Sequence, residues 1–238
     1  MRAVAVAAVV AFHANPALAP GGFAGVDIFF AISGYLISGL IVDALEHDRF
    51  QFGAFYARRL VRLAPALVVV LAACWVCGWR TLLPLEYAQL GTHVAGGAGF
   101  VDNLVFWNES GYFDADGATK PLLHLWSLGV EEQFYLVWPL VVVLAWWRRV
   151  SLTALMLVLG AASFAMNVAL VQSHASAAFY LPAGRLWELA LGGALACVSR
   201  HRRPPVLPPS LSSAVSMMAL GVLVLSMAWL PSSHYPGW

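Results

Sequence analysis

Six side chains that ionise near neutral pH or carry charge interrupt otherwise apolar stretches: His13, Asp27, Glu131, Glu132, Arg185 and Glu188. Such groups cost a few kcal/mol each inside hydrocarbon, so each must face a helix-bundle interior or an aqueous path. His13 follows Arg2 by eleven residues. On a helix that separation is about 16 Å, which puts the imidazole near mid-membrane if Arg2 marks the inner surface. A lone histidine at that depth is either a hydrogen-bonded structural residue or a group that moves protons, and Arg2 by itself reads as an interfacial anchor. Asp27 opens a face shared with Ala31, Gly34 and Ser38. Small residues at that spacing suit close helix packing, an account that serves Gly34 and Ser38 better than Asp27. The densest stretch runs His124, Ser127, Leu128, Glu131 and Tyr135, spacings of three and four that draw a polar stripe down one helix. Glu132 lies about 100° around that helix from Glu131, so one carboxylate can hold structure while the other lines a site. Arg185 and Glu188, three apart, form either a local ion pair or part of that site.

Arg49, Arg58, Arg59 and Arg62 gather between two apolar blocks, in a stretch from Phe50 to Arg62 that is also rich in aromatic rings. A basic, aromatic segment of this kind anchors to anionic lipid. Arg59 and Arg62 share a helical face, which equally suits a phosphate-bearing ligand, because guanidinium binds phosphate in a fork. Other chemistries are not written in the chain. Ser33-Gly34 lacks the flanks of a nucleophile elbow, no phosphate loop appears, and no histidine-carboxylate spacing fits a zinc helix, so no metal is expected.

The elements that position these groups follow from composition. Of 238 residues, 61% are hydrophobic and 11% charged, where a soluble domain carries about a quarter charged. The apolar residues fall in blocks of membrane-crossing length: Ala3 to Ala19, Phe23 to Val42, Leu63 to Leu83, Leu122 to Trp147, Leu152 to Val171, Gly184 to Val198 and Leu211 to Leu230. The first also resembles a cleavable signal peptide, a reading opposed by Pro20, His13, Asn15 and the spans that follow. The pattern predicts an all-α, polytopic transmembrane bundle. Arginine-rich loops stay on the cytoplasmic side, and Arg49–Arg62, Arg148–Arg149 and Arg200–Arg203 can all do so only if Tyr87–Trp107 does not cross. Its glycines, with His93, Asp102 and Asn103, suit a re-entrant or interfacial segment instead. Seven crossings, a cytoplasmic amino terminus and an external carboxyl terminus follow. Net charge of +1 offers no field for nucleic acid. Cys74, Cys77 and Cys197 sit in apolar stretches and suggest neither a disulfide framework nor a redox pair.

Five segments taken together resemble the membrane acyltransferase 3 family: Arg2-x10-His13, the run from Gly25 to Ile37 (GVDIFFAISGYLI), Arg58-Arg59-Leu60-Val61-Arg62-Leu63-Ala64-Pro65, the run from Leu123 to Tyr135 (LHLWSLGVEEQFY), and Arg185-Leu186-Trp187-Glu188. They extend from Arg2 to about Ala196. The resemblance implies an integral membrane O-acyltransferase that moves an acyl group, usually acetyl, from cytoplasmic coenzyme A to a hydroxyl of a carbohydrate outside the bacterial cytoplasmic membrane. Acceptors in the family include lipopolysaccharide, peptidoglycan and exopolysaccharide. His13 matches the family's catalytic histidine and Arg2 its partner; Arg59 and Arg62 match the arginine pair associated with the acyl donor. Asp27, Ser33, Glu131 and Glu132 fall on characteristic blocks without settled individual roles. His124, Ser127, Tyr135, Arg185 and Glu188 are the candidates for lining the acceptor path. In this scheme His13 is the general base, Glu131 or Glu132 orients it or lies along the acceptor channel, and an acyl-enzyme route stays open. Members usually carry several residues before the arginine and further spans after this chain's last, so residues 1–238 read as one acyltransferase-type membrane domain, truncated at its carboxyl end. A separate external transferase domain is a partner such a domain can use. A transporter, or an inactive truncated paralogue, is the alternative.

Overall fold

In a computed structural model, residues 2–15, 17, 19–110, 120–201 and 208–229 are described, and among them every regular element is a helix. The helices are α1 (Arg2–Ala14), α2 (Gly25–Glu46), α3 (Phe52–Thr81), α4 (Pro84–Ala98), α5 (Asp102–Glu109), α6 (Leu125–Trp147), α7 (Leu152–Val171), α8 (Ala175–Tyr180), α9 (Pro182–His201) and α10 (Pro209–Trp229), with one 3-10 turn at Gly22–Ala24. Four segments are long and apolar enough to cross a membrane: Gly22–Glu46, Phe52–Thr81, Leu125–Trp147 and Leu152–Val171. Arg2–Ala14 and Ser210–Ser226 are shorter apolar helices. Arg202, Arg203 and Leu230 lie outside the described residues.

The centre of the bundle is α2, packed against α9, which packs in turn on α7. Glycine makes the first contact close. A Cβ at Gly34 would overlap the Leu189 carbonyl, and one at Gly192 would overlap the Ala31 carbonyl. Backbones therefore touch where α2 and α9 cross, the arrangement small residues permit in a bundle without a hydrophobic driving force between helices. Ser38, on the same face, is fully buried and accepts a hydrogen bond from Trp138 Nε1 of α6 at 2.8 Å. The close-packing account of Gly34 and Ser38 holds.

The first apolar block does not form a full crossing. Its helix ends at Ala14, and thirteen residues give about 18 Å between the first and last Cα atoms, against a hydrocarbon core of about 30 Å. α1 runs antiparallel to α2, in a register set by two glycines. Gly22 faces the Ala8 carbonyl and Phe12, Gly25 faces the Ala5 carbonyl and Val9, and Arg2 reaches Ser33. Ser33 is thirteen residues from the Glu46 end of α2, about 20 Å along the axis. Arg2 is accordingly set well into the bundle, and His13 lies beyond the first turn of α2. That register sets Arg2 against the middle of α2 and His13 past its amino-terminal end.

The Tyr87–Trp107 segment belongs to a helical hairpin, α4 and α5. α4 starts with Pro84 at its first turn, where the Leu83 N–H donates to Glu86 Oε2 at 2.9 Å. It descends along α3, with Trp75 against Tyr87, Leu90 over Gly78 and Leu71 over Gly97. At its end Phe100 takes a left-handed backbone, φ 55°, and α5 turns back along α4. The strained Phe100 is held by its carbonyl, which accepts from Gln133 Nε2 of α6 at 2.8 Å. α3 also exceeds its apolar block: the basic stretch from Phe52 to Arg62 and the apolar stretch after it are one helix of 30 residues, with Pro65 inside.

Candidate functional site

The arginines converge on one cavity of about 460 Å³. Arg2, Arg49, Arg58, Arg59 and Arg62 line it, with Asp43 at one end, Glu131 among the walls, and Phe29, Ile37, Leu40, Phe50 and Phe55 supplying apolar surface. It begins beside Asp43, near the Glu46 end of α2. Its lining runs inward to Arg2 and to Phe29 of α2. Five guanidinium groups against two carboxylates make a cationic chamber with partly apolar walls, suited to a ligand with phosphates at one end and an uncharged arm at the other.

Its inner wall is a chain of polar contacts through three helices. Arg59 offers one edge to Glu132, Nε lying 2.9 Å from each carboxylate oxygen. Glu131 Oε1 stands 3.9 Å from Arg59 Nη2, and the guanidinium stacks on the Tyr135 ring, 3.2 Å from its centroid. The Tyr135 hydroxyl donates to Glu131 Oε1, and the phenol also meets Ser33. Arg2 Nη2 donates to Ser33 Oγ at 3.1 Å, while Arg2 Nε is buried without a hydrogen-bond partner. Glu131 and Glu132 do diverge around α6, but both turn toward Arg59. Neither touches His13.

His13 is oriented by its own helix. Its Nδ1 lies 2.8 Å from the Val9 carbonyl, an acceptor only, so Nδ1 carries the hydrogen and Nε2 of the neutral ring keeps its lone pair. The ring is exposed at the end of α1, with Phe12 edge-on at 5.4 Å. His124 stands exposed just before α6. Ser127 donates to the His124 carbonyl at 3.3 Å and extends the polar stripe.

Asp27, half-buried, and the buried Arg185 and Glu188 form a separate cluster. Arg185 Nη1 bonds Asp27 Oδ1 at 3.1 Å and Glu188 Oε1 at 2.9 Å, and the guanidinium lies over the Trp126 and Phe179 rings. The local Arg185–Glu188 pair is therefore present, and Asp27 joins it from α2, 158 residues away in sequence.

Two groupings were not foreseen from the sequence. Arg49, Arg58 and Asp43 face the cavity with the residues singled out for it. In the hairpin, buried His93 meets Glu109 at 2.9 Å and Lys120 donates to the same carboxylate at 3.1 Å. Asp102 beside them is buried with neither carboxylate oxygen hydrogen-bonded, and burial, with the charge of Glu109 adding, pushes it up to about 7. The signal was a histidine and two acids among glycines, but their partners come from three segments. Among the described residues, no three His, Cys, Asp or Glu side chains are placed to hold a metal ion, and all three cysteines are free.

A bundle of apolar helices around a cationic chamber, with an exposed imidazole at the far end of α1, describes a membrane protein. The sequence pattern described as an acyltransferase domain, that of the acyltransferase 3 family, matches residues 1–238, and the chain belongs to that family. Relatives include the peptidoglycan O-acetyltransferase OatA of Listeria monocytogenes, 36% identical over 234 residues, covering 94% of this chain and 37% of the relative. Another is the O-acetyltransferase OatA of Staphylococcus aureus, 36% identical over 144 residues, covering 60% of this chain and 24% of the relative. The chain thus spans well under half the length of these relatives. No solved structure matches it at a significant level.

Proposed function

We propose that this protein transfers an acetyl group from acetyl-CoA, or another acyl-CoA, to a hydroxyl of a cell-envelope carbohydrate, with His13 as general base. The observation that carries the reading is the arginine-lined cavity, whose lining includes Arg2, the residue at the opposite end of the same short helix from His13. The donor's phosphates sit among the arginines, and its acyl arm extends past Arg2 along α1. His13 Nε2 takes the proton of the acceptor hydroxyl as the oxygen attacks the thioester carbonyl. The carbon–sulfur bond then breaks, the acyl group stays on the acceptor oxygen, and the departing thiolate gains a proton to leave as free thiol.

The cavity end of the bundle, carrying Arg49 to Arg62, faces the cytoplasm where acyl-CoA is found, in keeping with the positive-inside rule. With α1 inserted part-way and the α4–α5 hairpin re-entrant, the same orientation keeps Arg148, Arg149 and Arg200 on the cytoplasmic side as well. His13 and His124 then face the outer side, and an acceptor such as peptidoglycan, on which the Listeria relative is named to act, approaches there. Residues 1–238 act as one membrane domain, to which an external transferase domain is a fitting partner. Polar groups of the His124–Tyr135 stripe and the Asp27–Arg185–Glu188 cluster border the acceptor's route.

The test is transfer of labelled acetyl from acetyl-CoA to peptidoglycan fragments by membranes holding the full chain. Transfer that disappears in His13→Ala supports the reading. Wild-type transfer by that variant ends the base assignment, and failure of the wild-type chain to bind or use acetyl-CoA ends the donor assignment.

A further inference from the structure

Two arginines that line the cavity differ in what already holds them. Arg59 has its Nε–Nη2 edge on the Glu132 carboxylate, with Glu131 3.9 Å away and its face on the Tyr135 ring. That edge is the one a guanidinium uses to grip phosphate side-on, and the adjacent carboxylate offsets its charge. Arg58 and Arg62 are exposed and line the same cavity one helical turn apart on α3. Among the described residues neither has a carboxylate within 4.0 Å of its guanidinium. Residues four apart on a helix sit one above the other, so the two forks can close on neighbouring phosphates. Arg49, also at the cavity, is partly engaged by Asp43 at 3.4 Å.

We propose that Arg58, with Arg62, makes the phosphate contacts of the acyl donor, and that Arg59 is a positioning residue whose grip on Glu132 and Glu131 sets the inner wall where the acyl arm passes. This rests on the donor reading given above. The wall then reaches Arg2 through Tyr135 and Ser33, so displacing Arg59 disturbs the passage between the cavity and α1. Phosphate affinity and transfer rate should accordingly separate. Arg58 and Arg62 govern the first, Arg59 and Glu132 the second.

The probe for affinity is adenosine 3′,5′-bisphosphate, titrated against the full chain in nanodiscs of neutral lipid and again in nanodiscs containing anionic lipid. Removing one charge-assisted contact should cost about tenfold or more in affinity, so Arg58→Gln and Arg62→Gln each raise Kd by at least that factor in neutral discs. They should also flatten its salt dependence. Arg59→Lys and Glu132→Gln should leave this Kd within about twofold while lowering kcat by about tenfold or more, with KM for acetyl-CoA little changed. Size-exclusion profiles and melting temperatures confirm that each variant is folded, and Lys rather than Ala at position 59 keeps a cation beside Glu132.

Wild-type Kd in Arg58→Gln, with binding lost in Arg59→Lys, overturns the assignment. So does an Arg58 effect seen only in anionic discs, which would make it a lipid-headgroup contact. A wild-type chain that binds neither the bisphosphate nor acetyl-CoA overturns the donor reading itself, a different outcome from a wild-type chain that binds and an Arg58 variant that binds equally well.

Discussion

Replacing Arg185 by methionine isolates the energetics of the buried Asp27–Arg185–Glu188 cluster. Arg185 is 3% exposed and Glu188 2%, and the cation lies about 3 Å from one oxygen of each acid. At an effective dielectric constant of about 20, each contact carries roughly 5 kcal/mol of attraction. Most of that offsets the cost of desolvating the ions, so the cluster itself is worth little more than a well-packed apolar substitute. Removing only the cation is different, because two carboxylates are stranded together and Glu188 Oε2 already has no hydrogen-bond partner. The expected cost is about 3–5 kcal/mol, or on the order of 10 °C in melting temperature for a chain of this size. The assay is thermal unfolding of Arg185→Met in detergent, alongside the triple variant Asp27→Asn, Arg185→Met, Glu188→Gln. Neutralising all three should recover most of the loss. A single variant melting within about 1 °C of wild type, or a triple variant no better than the single, would refute the claim that uncompensated charge is the cause.

Three further outcomes are expected. His13→Ala should keep the fold, since its ring is exposed at a helix end, and lose about 10²- to 10⁴-fold in acetyl transfer measured in membranes. Asp102 is held near 7 in the fold against about 3.9 unfolded, so the folded state favours the protonated acid. Stability should therefore fall as pH rises from about 4 to 7 and then level off. Asp102→Asn should raise the melting temperature at pH 8 and change it little at pH 4, and equal shifts at both would contradict the buried-acid assignment. Gly34→Ala and Gly192→Ala force Cβ atoms into facing carbonyls and should cost about 1–3 kcal/mol each. Gly53→Ala, with nothing within 4 Å of its added carbon, should be neutral or gain up to about 1 kcal/mol; equal effects at the three sites would contradict the close crossing.

Helix positions were legible because hydropathy and arginine placement are local signals. Leu152–Val171 matches its apolar block to the residue, and the Tyr87–Trp107 segment was expected not to cross and folds as the α4–α5 hairpin. The polar stripe on α6 was legible from spacing alone. What spacing does not carry is which partner a polar side chain chooses across the bundle. Glu131 and Glu132 looked available to His13, yet Arg59, 73 residues from Glu132 in sequence, takes the latter. Asp27 looked like an isolated functional acid until α9 brought Arg185 to it. Similarly, a helical wheel sets Arg58 about 100° from Arg59, but which of the two a carboxylate holds depends on what α6 presents to α3.

The antiparallel register of α1 on α2 has the largest consequence for function. Had α1 been a full span with Arg2 at a membrane surface, His13 would sit halfway across and the cavity arginines would all lie at one boundary. With Gly22 and Gly25 fitting under Ala8 and Ala5, the helix is carried outward along α2, and Arg2 becomes the inner limit of the cavity instead of its entrance. From Asp43 to the level of Ser33 is about 15 Å along α2, and α1 covers about 16 Å more from Arg2 to His13. Their sum is about the thickness of the hydrocarbon core. On the proposed reading, a donor gripped at the Asp43 end and reacting at His13 needs those two lengths end to end, and a side chain on Gly22 or Gly25 that pushed α1 off α2 would break that path without touching His13.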